Sequence, residues 1–190
     1  MLSCDSLARM TGYVALLRGI NVGGRATLPM ATLREVAEGL GYTRVSTYIA
    51  SGNLFLEAGD ASPGTVETAL HDALLEHTGL ELTVVARTRA QLTAVVATNP
   101  FPDAEPQQLH VSFLTGQPTA AGITAFETEM GRHPERAAVI GQEAYIDYVN
   151  GAGRTKVSWD RVARAMGVQG TARNWRTVLT LLDRLSVDPS

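Results

Sequence analysis

Lys156 is the only lysine in the chain; the other fifteen basic residues are arginines. The two cations are not interchangeable. Lysine is a compact point charge with three rotatable donors and an adjustable pKa, whereas arginine is a permanently charged planar fork. Lys156 closes the stretch Tyr145-Ile-Asp-Tyr-Val-Asn-Gly-Ala-Gly-Arg-Thr-Lys156, which reads as a strand, a Gly-x-Gly turn and a polar run entering a helix. Gly151, Gly153, Arg154, Thr155 and Lys156 therefore bring two glycines, two cations and a hydroxyl to one turn. That combination suits an anion, most often phosphate. The residue order excludes two specific phosphate motifs. A P-loop needs Gly-x-x-x-x-Gly-Lys-Ser/Thr, and the dinucleotide fingerprint needs a third glycine. The competing reading is a solvated surface turn in a sequence with an arginine-rich codon bias.

The elements that must position these residues alternate strand and helix. Tyr13 to Arg18 is an apolar strand, followed by the loop Gly19-Ile-Asn-Val-Gly-Gly-Arg-Ala-Thr-Leu-Pro29. A helix runs from about Met30 to Leu40, with Leu33, Val36, Ala37 and Leu40 on one face and Gly41 as its stop. Arg44 to Ile49 and Leu54 to Glu57 are strands joined by Ala50-Ser51-Gly52-Asn53, a hairpin signal. A helix over Gly64 to Thr78 and a strand over Glu81 to Arg87 complete β-α-β-β-α-β, the split ferredoxin-like order. In that topology the first strand and the second run the same way. The loop after the first strand and the hairpin then share one end of the sheet. Arg18, Asn21, Arg25, Ser51 and Asn53 meet there, and Gly23 and Gly24 would let backbone N–H groups approach a ligand. Equally, Ser-Gly-Asn is what a tight hairpin needs, and Asn21 can serve as a turn cap. Both faces of the first strand are apolar, which predicts a covered second sheet face and core packing for Phe55.

A second round follows. Thr88 to Ala97 reads as helix and Asn99-Pro-Phe-Pro-Asp-Ala-Glu-Pro106 as linker. Leu109 to Thr115 is a strand, Ala120 to Gly131 a helix, and Ala137 to Ile140 with Ala144 to Val149 a hairpin. Val157 to Met166 and Ala172 to Leu185 read as helices, the last standing where a fourth strand would complete the unit. Its stripe is Ala172, Trp175, Val178, Leu179, Leu182 and Leu185, with Thr171 as N-cap. Arg173 and Asn174 then fall in its first turn, where an arginine opposes the macrodipole. That conflict points to an anion or an ion pair as the reason for Arg173. The segment 162–173 also resembles a DNA-binding helix-turn-helix, weakened by Gly170 where a recognition helix should begin. Asp147, just before the glycine turn, is a partner for Arg154 or Lys156, or else a solvated or ion-paired strand residue. His71, His77, His110 and His133 show no metal-ligand spacing, and no nucleophile elbow occurs.

Four stretches in order carry a specific resemblance: Ala15-Leu-Leu-Arg-Gly-Ile-Asn-Val-Gly-Gly24, Thr47-Tyr-Ile-Ala-Ser-Gly-Asn53, Gly151-Ala-Gly-Arg-Thr-Lys156 and Thr171-Ala-Arg-Asn-Trp-Arg-Thr177. Over roughly Tyr13 to Leu185 the chain resembles the bacterial family catalogued as domain of unknown function 1697. Thr155 stands where that family often has serine. The resemblance implies an α+β fold of two ferredoxin-like subdomains packed together, the second with an added C-terminal helix. It implies no reaction, but adds weight to Arg18, Asn21, Lys156, Arg173 and Asn174 as site residues.

The resulting division is a disordered segment 1–12, subdomains at 13–98 and 109–190, and a linker at 99–108. Residues 1–150 carry nine arginines and sixteen acids, −7; residues 151–190 carry six arginines, Lys156 and three acids, +4. The basic end either binds an anion or docks on acidic parts of its own chain. A single cysteine, Cys4, excludes an internal disulfide framework. No apolar run reaches membrane-spanning length, and a cytoplasmic location is expected. The functional expectation is binding of, or catalysis on, a phosphorylated or anionic small molecule. A nucleic-acid-associated protein and an interaction module without ligand chemistry are the alternatives. No cofactor is assigned.

Overall fold

The computed structural model describes residues 11–21 and 26–186. Two four-stranded antiparallel sheets, each flanked by helices, make up the fold. The chain divides into two compact units, 1–89 and 90–190.

The first unit holds β1 (Gly12–Leu17), α1 (Met30–Gly39), β2 (Thr43–Tyr48), β3 (Asn53–Glu57), α2 (Pro63–Thr78) and β4 (Val84–Thr88). The sheet order is β2-β3-β1-β4. Strand alternation places Tyr13, Ala15 and Leu17 in one core with Leu54, Leu56, Val84 and Ala86. Leu33, Val36 and Ala37 of α1 and Val66, Leu70 and Leu74 of α2 close that core. The opposite face of β1, Val14 and Leu16, is also buried, as is Phe55. Both faces of this strand are therefore interior, as its unbroken apolar run implies. α2 begins at Ser62, whose side chain accepts from Thr65 N–H, with Pro63 in the first turn, and it ends at left-handed Gly79. Thr11 and Gly12, expected in a disordered segment, are ordered: Thr11 pairs with Gly59 and Ala58, and Gly12 opens β1. The rest of that expectation falls on residues 1–10, outside the described residues.

α3 (Arg89–Ala97) bridges the two units in sequence. The second unit then holds β5 (Leu109–Leu114), α4 (Ala120–Met130), β6 (Arg136–Ile140), β7 (Glu143–Asp147), a short 3-10 turn (Ala152–Arg154), α5 (Trp159–Met166), β8 (Gly170–Asn174) and α6 (Trp175–Ser186). Its order, β6-β7-β5-β8, repeats that of the first sheet. Phe126 and Met130 of α4 and Val162 and Met166 of α5 pack over Leu114, Ala144 and Ile146. The segment after α3 is tied down: Arg136 stacks on Phe101 at 5.0 Å and reaches Asp103 at 2.9 Å.

β8 corrects the reading of the last segment. Residues 170–174 are a strand paired to β5, with Leu114 opposite Gly170 and Val111 opposite Arg173. The helix begins only at Trp175, and Asn174 caps it, accepting from Thr177 N–H at 2.9 Å. Thr171 is not an N-cap, and the helix-turn-helix is absent because Met166 is followed by left-handed Gly167 and then a strand. Ala172, one turn before Trp175 on the apolar stripe, belongs to the strand and not to the helix. Gly170 makes the strand possible: a Cβ there would lie 2.8 Å from the Phe113 carbonyl.

Candidate functional site

At the upper end of the first sheet the loop after β1 meets the β2–β3 hairpin. Asn21, in the left-handed region at φ 54°, joins them. Its Nδ2 donates to the carbonyls of Leu28 and Ala50, both at 2.9 Å, and its Oδ1 accepts from Leu28 N–H at 3.0 Å. The shared sheet end deduced from topology is therefore real, and Leu17 N–H also reaches Gly52 O at 2.9 Å. The side-chain amide of Asn21 is, however, committed to backbone. Asn53, fully buried, donates to Tyr48 O and to Ser51 Oγ. Gly52 is required twice over: φ is 77°, and a Cβ would stand 2.8 Å from Ile20. Asn21, Ser51 and Asn53 thus make the turn and loop that the tight-hairpin reading demanded. Arg18 continues the ladder, its N–H donating to Thr83 O at 3.0 Å. Gly23, Gly24 and Arg25 lie outside the described residues.

One backbone feature at this end stands out. Ile49, beside the clamped Ala50, has φ 49° and is 51% exposed. A β-branched residue in the left-handed region costs roughly 1–3 kcal/mol. The Asn21 tie helps to hold that conformation.

The second sheet presents its own polar end, where β7 finishes, β5 begins and β8 runs out. Gly151 adopts φ 84°, which a side chain would strain. Gly153 has open space around its Cα. Arg154 and Lys156 are exposed. Thr155 between them is anchored: its hydroxyl donates to Glu135 Oε1 at 2.6 Å and accepts from Val157 N–H at 3.1 Å. The turn is therefore fastened at its middle residue while both flanking cations face solvent.

Asp147 is 2% exposed and pairs with neither Arg154 nor Lys156. Its Oδ2 takes both Nε (3.0 Å) and Nη2 (2.7 Å) of Arg136 on the neighbouring strand, so it is a structural ion pair. Those bonds, with the one to Asp103, push the Arg136 pKa up. Arg173 is not in a helical turn. It is a strand residue, 8% exposed, donating to Thr171 Oγ1 and Ala172 O at 2.8 Å. Burial pulls its pKa down to about 10, which leaves it charged at neutral pH. The supposed conflict with a helix dipole does not arise.

Sequence reasoning missed three groups. Glu135 follows His133-Pro134 with no motif to mark it, yet it is buried and holds Thr155. Tyr148 stacks edge-on against His110 at 5.1 Å. Its phenol is pushed up by burial first and then by the charge of Glu135, while burial pushes His110 down. Arg87 sits opposite Val14 in β4, as Arg173 sits opposite Val111 in β8. Both are buried, and each donates to the carbonyl of the residue before it. Only the sheet register reveals this correspondence. Among the described residues no cluster of three or more potential metal ligands occurs. No described helix is long and apolar enough to cross a membrane.

Two successive β-α-β-β-α-β units, each followed by a helix, with polar turns at the sheet ends, define an α+β protein of doubled ferredoxin-like architecture. Over residues 10–145 the chain matches the family described as protein of unknown function DUF1697, and it belongs to that family. The matched span stops short of the Gly151 turn. Among solved structures the chain is similar to the conserved bacterial protein SP0830 from Streptococcus pneumoniae. The TM-score is 0.71 at 22% identity, over 93% of this chain and 99% of that one. At that identity the likeness concerns the fold. No curated protein matches the chain.

Proposed function

We propose that this protein binds a phosphorylated or otherwise anionic small molecule at the Gly151–Lys156 turn, the reading extending to catalysis on that molecule. The observation that supports it best is the state of Arg154 and Lys156. Both are exposed, two residues apart, and among the described residues neither meets a carboxylate. Arg44, Arg87, Arg132, Arg136 and Arg161, by contrast, each lie within ion-pair distance of one. Two cations with no carboxylate partner among the described residues, on a turn pinned at Thr155, offer charge without a large ordering cost. The open space at Gly153 lets a ligand approach backbone N–H groups. A nucleic-acid reading is weaker. Arg161 faces Glu129 at 3.5 Å and Arg173 is buried, which removes two cations from any continuous basic surface in 151–190.

Thermal melting in the presence of inorganic phosphate, pyrophosphate, sugar phosphates, nucleotides, dicarboxylates and a mixed oligonucleotide tests the proposal. Saturable stabilisation by a phosphorylated small molecule is expected. Lys156→Met should weaken that binding by about 1.5–3 kcal/mol, the usual worth of a hydrogen bond to a charged group. Lys156→Arg should also weaken it, because the planar fork overreaches a pocket fitted to a point charge. Unliganded melting should hardly move, since an exposed lysine contributes little. No response to any small anion, or a response indifferent to Lys156→Met, overturns the proposal. Oligonucleotide binding that falls steeply with salt would favour nucleic acid instead.

A further inference from the structure

Glu135 is buried to more than nine-tenths, and its two oxygens differ. Oε1 accepts from Thr155, whereas Oε2 is buried and receives no hydrogen bond among the described residues. No cation pairs with it among the described residues. A buried carboxylate oxygen is costly without a donor. Thr155 fastens this oxygen's carboxyl group to the turn that carries Arg154 and Lys156. Four residues beyond Thr155, the Trp159 Nε1–H is likewise buried and has no acceptor among the described residues. The segment therefore offers three unmet capacities: two cations for an anion, one acceptor for a donor and one donor for an acceptor.

We infer that the ligand of this turn carries an O–H donor beside its anionic group, that Glu135 Oε2 accepts it, and that the ligand class is phosphorylated polyols and sugars. The inference rests on the anion-binding reading above and narrows it. A hydroxyl suits better than an ammonium because it donates to Glu135 without bringing a further positive charge beside Arg154 and Lys156. Glu135 also discriminates. A bare anion meets the carboxylate as a repulsion, whereas a hydroxylated one gains a charge-assisted hydrogen bond.

Glu135→Gln separates these effects. The amide carbonyl can still accept from Thr155, while an N–H₂ replaces the free oxygen. Calorimetric titration reads the outcome with glycerol 3-phosphate, ribose 5-phosphate and, as the phosphate without an O–H donor, methyl phosphate, because inorganic phosphate carries its own P–O–H at neutral pH. The parent protein should bind the two polyol phosphates about tenfold more tightly than methyl phosphate, or better. Glu135→Gln should collapse that ratio towards one and leave methyl phosphate affinity equal or improved. A ratio unchanged in Glu135→Gln, or no preference in the parent protein, overturns the inference while phosphate binding at Lys156 stands. Equal loss of all three ligands in Glu135→Gln assigns Glu135 to holding the turn and also overturns it. Absence of phosphate binding in the parent overturns the anion site as well.

Discussion

Asn21 uses both ends of its side-chain amide to tie a loop to a hairpin twenty-nine residues away in sequence. Three hydrogen bonds at about 1 kcal/mol each, plus the loss of a residue type that tolerates φ 54°, set the scale. Asn21→Ala should destabilise the protein by roughly 2–4 kcal/mol in urea denaturation. Asn21→Gly keeps the backbone freedom and should show mainly the hydrogen-bond part. Equal stability of parent and Asn21→Ala would mean that the tie does not form in solution. The residue types Asn21, Ser51, Gly52 and Asn53 were readable as a shared turn apparatus, because topology alone puts them at one sheet end. Their division between folding and ligand binding was not. An amide pointing at a carbonyl and one pointing at a ligand look alike in sequence.

Elements were legible where period and punctuation agreed, as in α2 with Ser62, Pro63 and Gly79 at its ends. β8 was not, because Thr171 and Arg173 share its buried face and an arginine hides the alternation. Its long stem packs as an apolar residue while its head finds carbonyl and hydroxyl partners. The same limit applies to glycines in helices. Gly122 in α4 and Gly64 in α2 look equivalent, and alanine is the better helix former at either by up to about 1 kcal/mol. At Gly122, though, a Cβ would lie 2.7 Å from the Met166 carbonyl oxygen and 3.1 Å from its Cα. Backbone cannot rotate aside, so α4 and α5 would have to separate. Gly122→Ala should destabilise by about 1–3 kcal/mol. Gly64, with nothing within 4 Å, should gain about 0.4–1 kcal/mol on the same change. Chemical denaturation of the pair checks this; equal effects would contradict the close helix approach.

Across the molecule, the two units share strand order, and a buried arginine occupies the same register in each. Each unit also contains tyrosines whose phenols burial pushes up: Tyr13 and Tyr42 in the first, Tyr145 and Tyr148 in the second. Tyr145 is fully buried and donates to Val95 O at 2.9 Å, and Tyr13 donates to Ala61 O. A raised folded pKa means that above the ordinary phenol value of 10.0 the unfolded chain loses protons that the folded one keeps. Stability from these groups is complete below that value and falls as pH rises through the folded pKa values. Arg173 acts oppositely, since its folded pKa is lowered to about 10; the folded state loses its proton first, and stability gains. The phenols therefore lower stability above pH 10.0, and Arg173 opposes them. Phenolate absorbance should titrate at higher pH in the folded protein than in denaturant. Coincident titration curves would show the phenols to be solvated.

The α+β class, the β-α-β-β-α-β order of the first unit and the meeting of loop and hairpin at one sheet end are legible in the residues alone. Local propensity and strand direction suffice for those. Tertiary structure alone decided that residues 170–174 complete the second sheet, since pairing with β5 overrides the helical stripe that continues into Trp175. It also decided that Asp147 belongs to Arg136 and that Glu135 lies beneath the Lys156 turn. Which charges become partners depends on which chain segments the packed core brings within a few ångströms, and no local pattern records that.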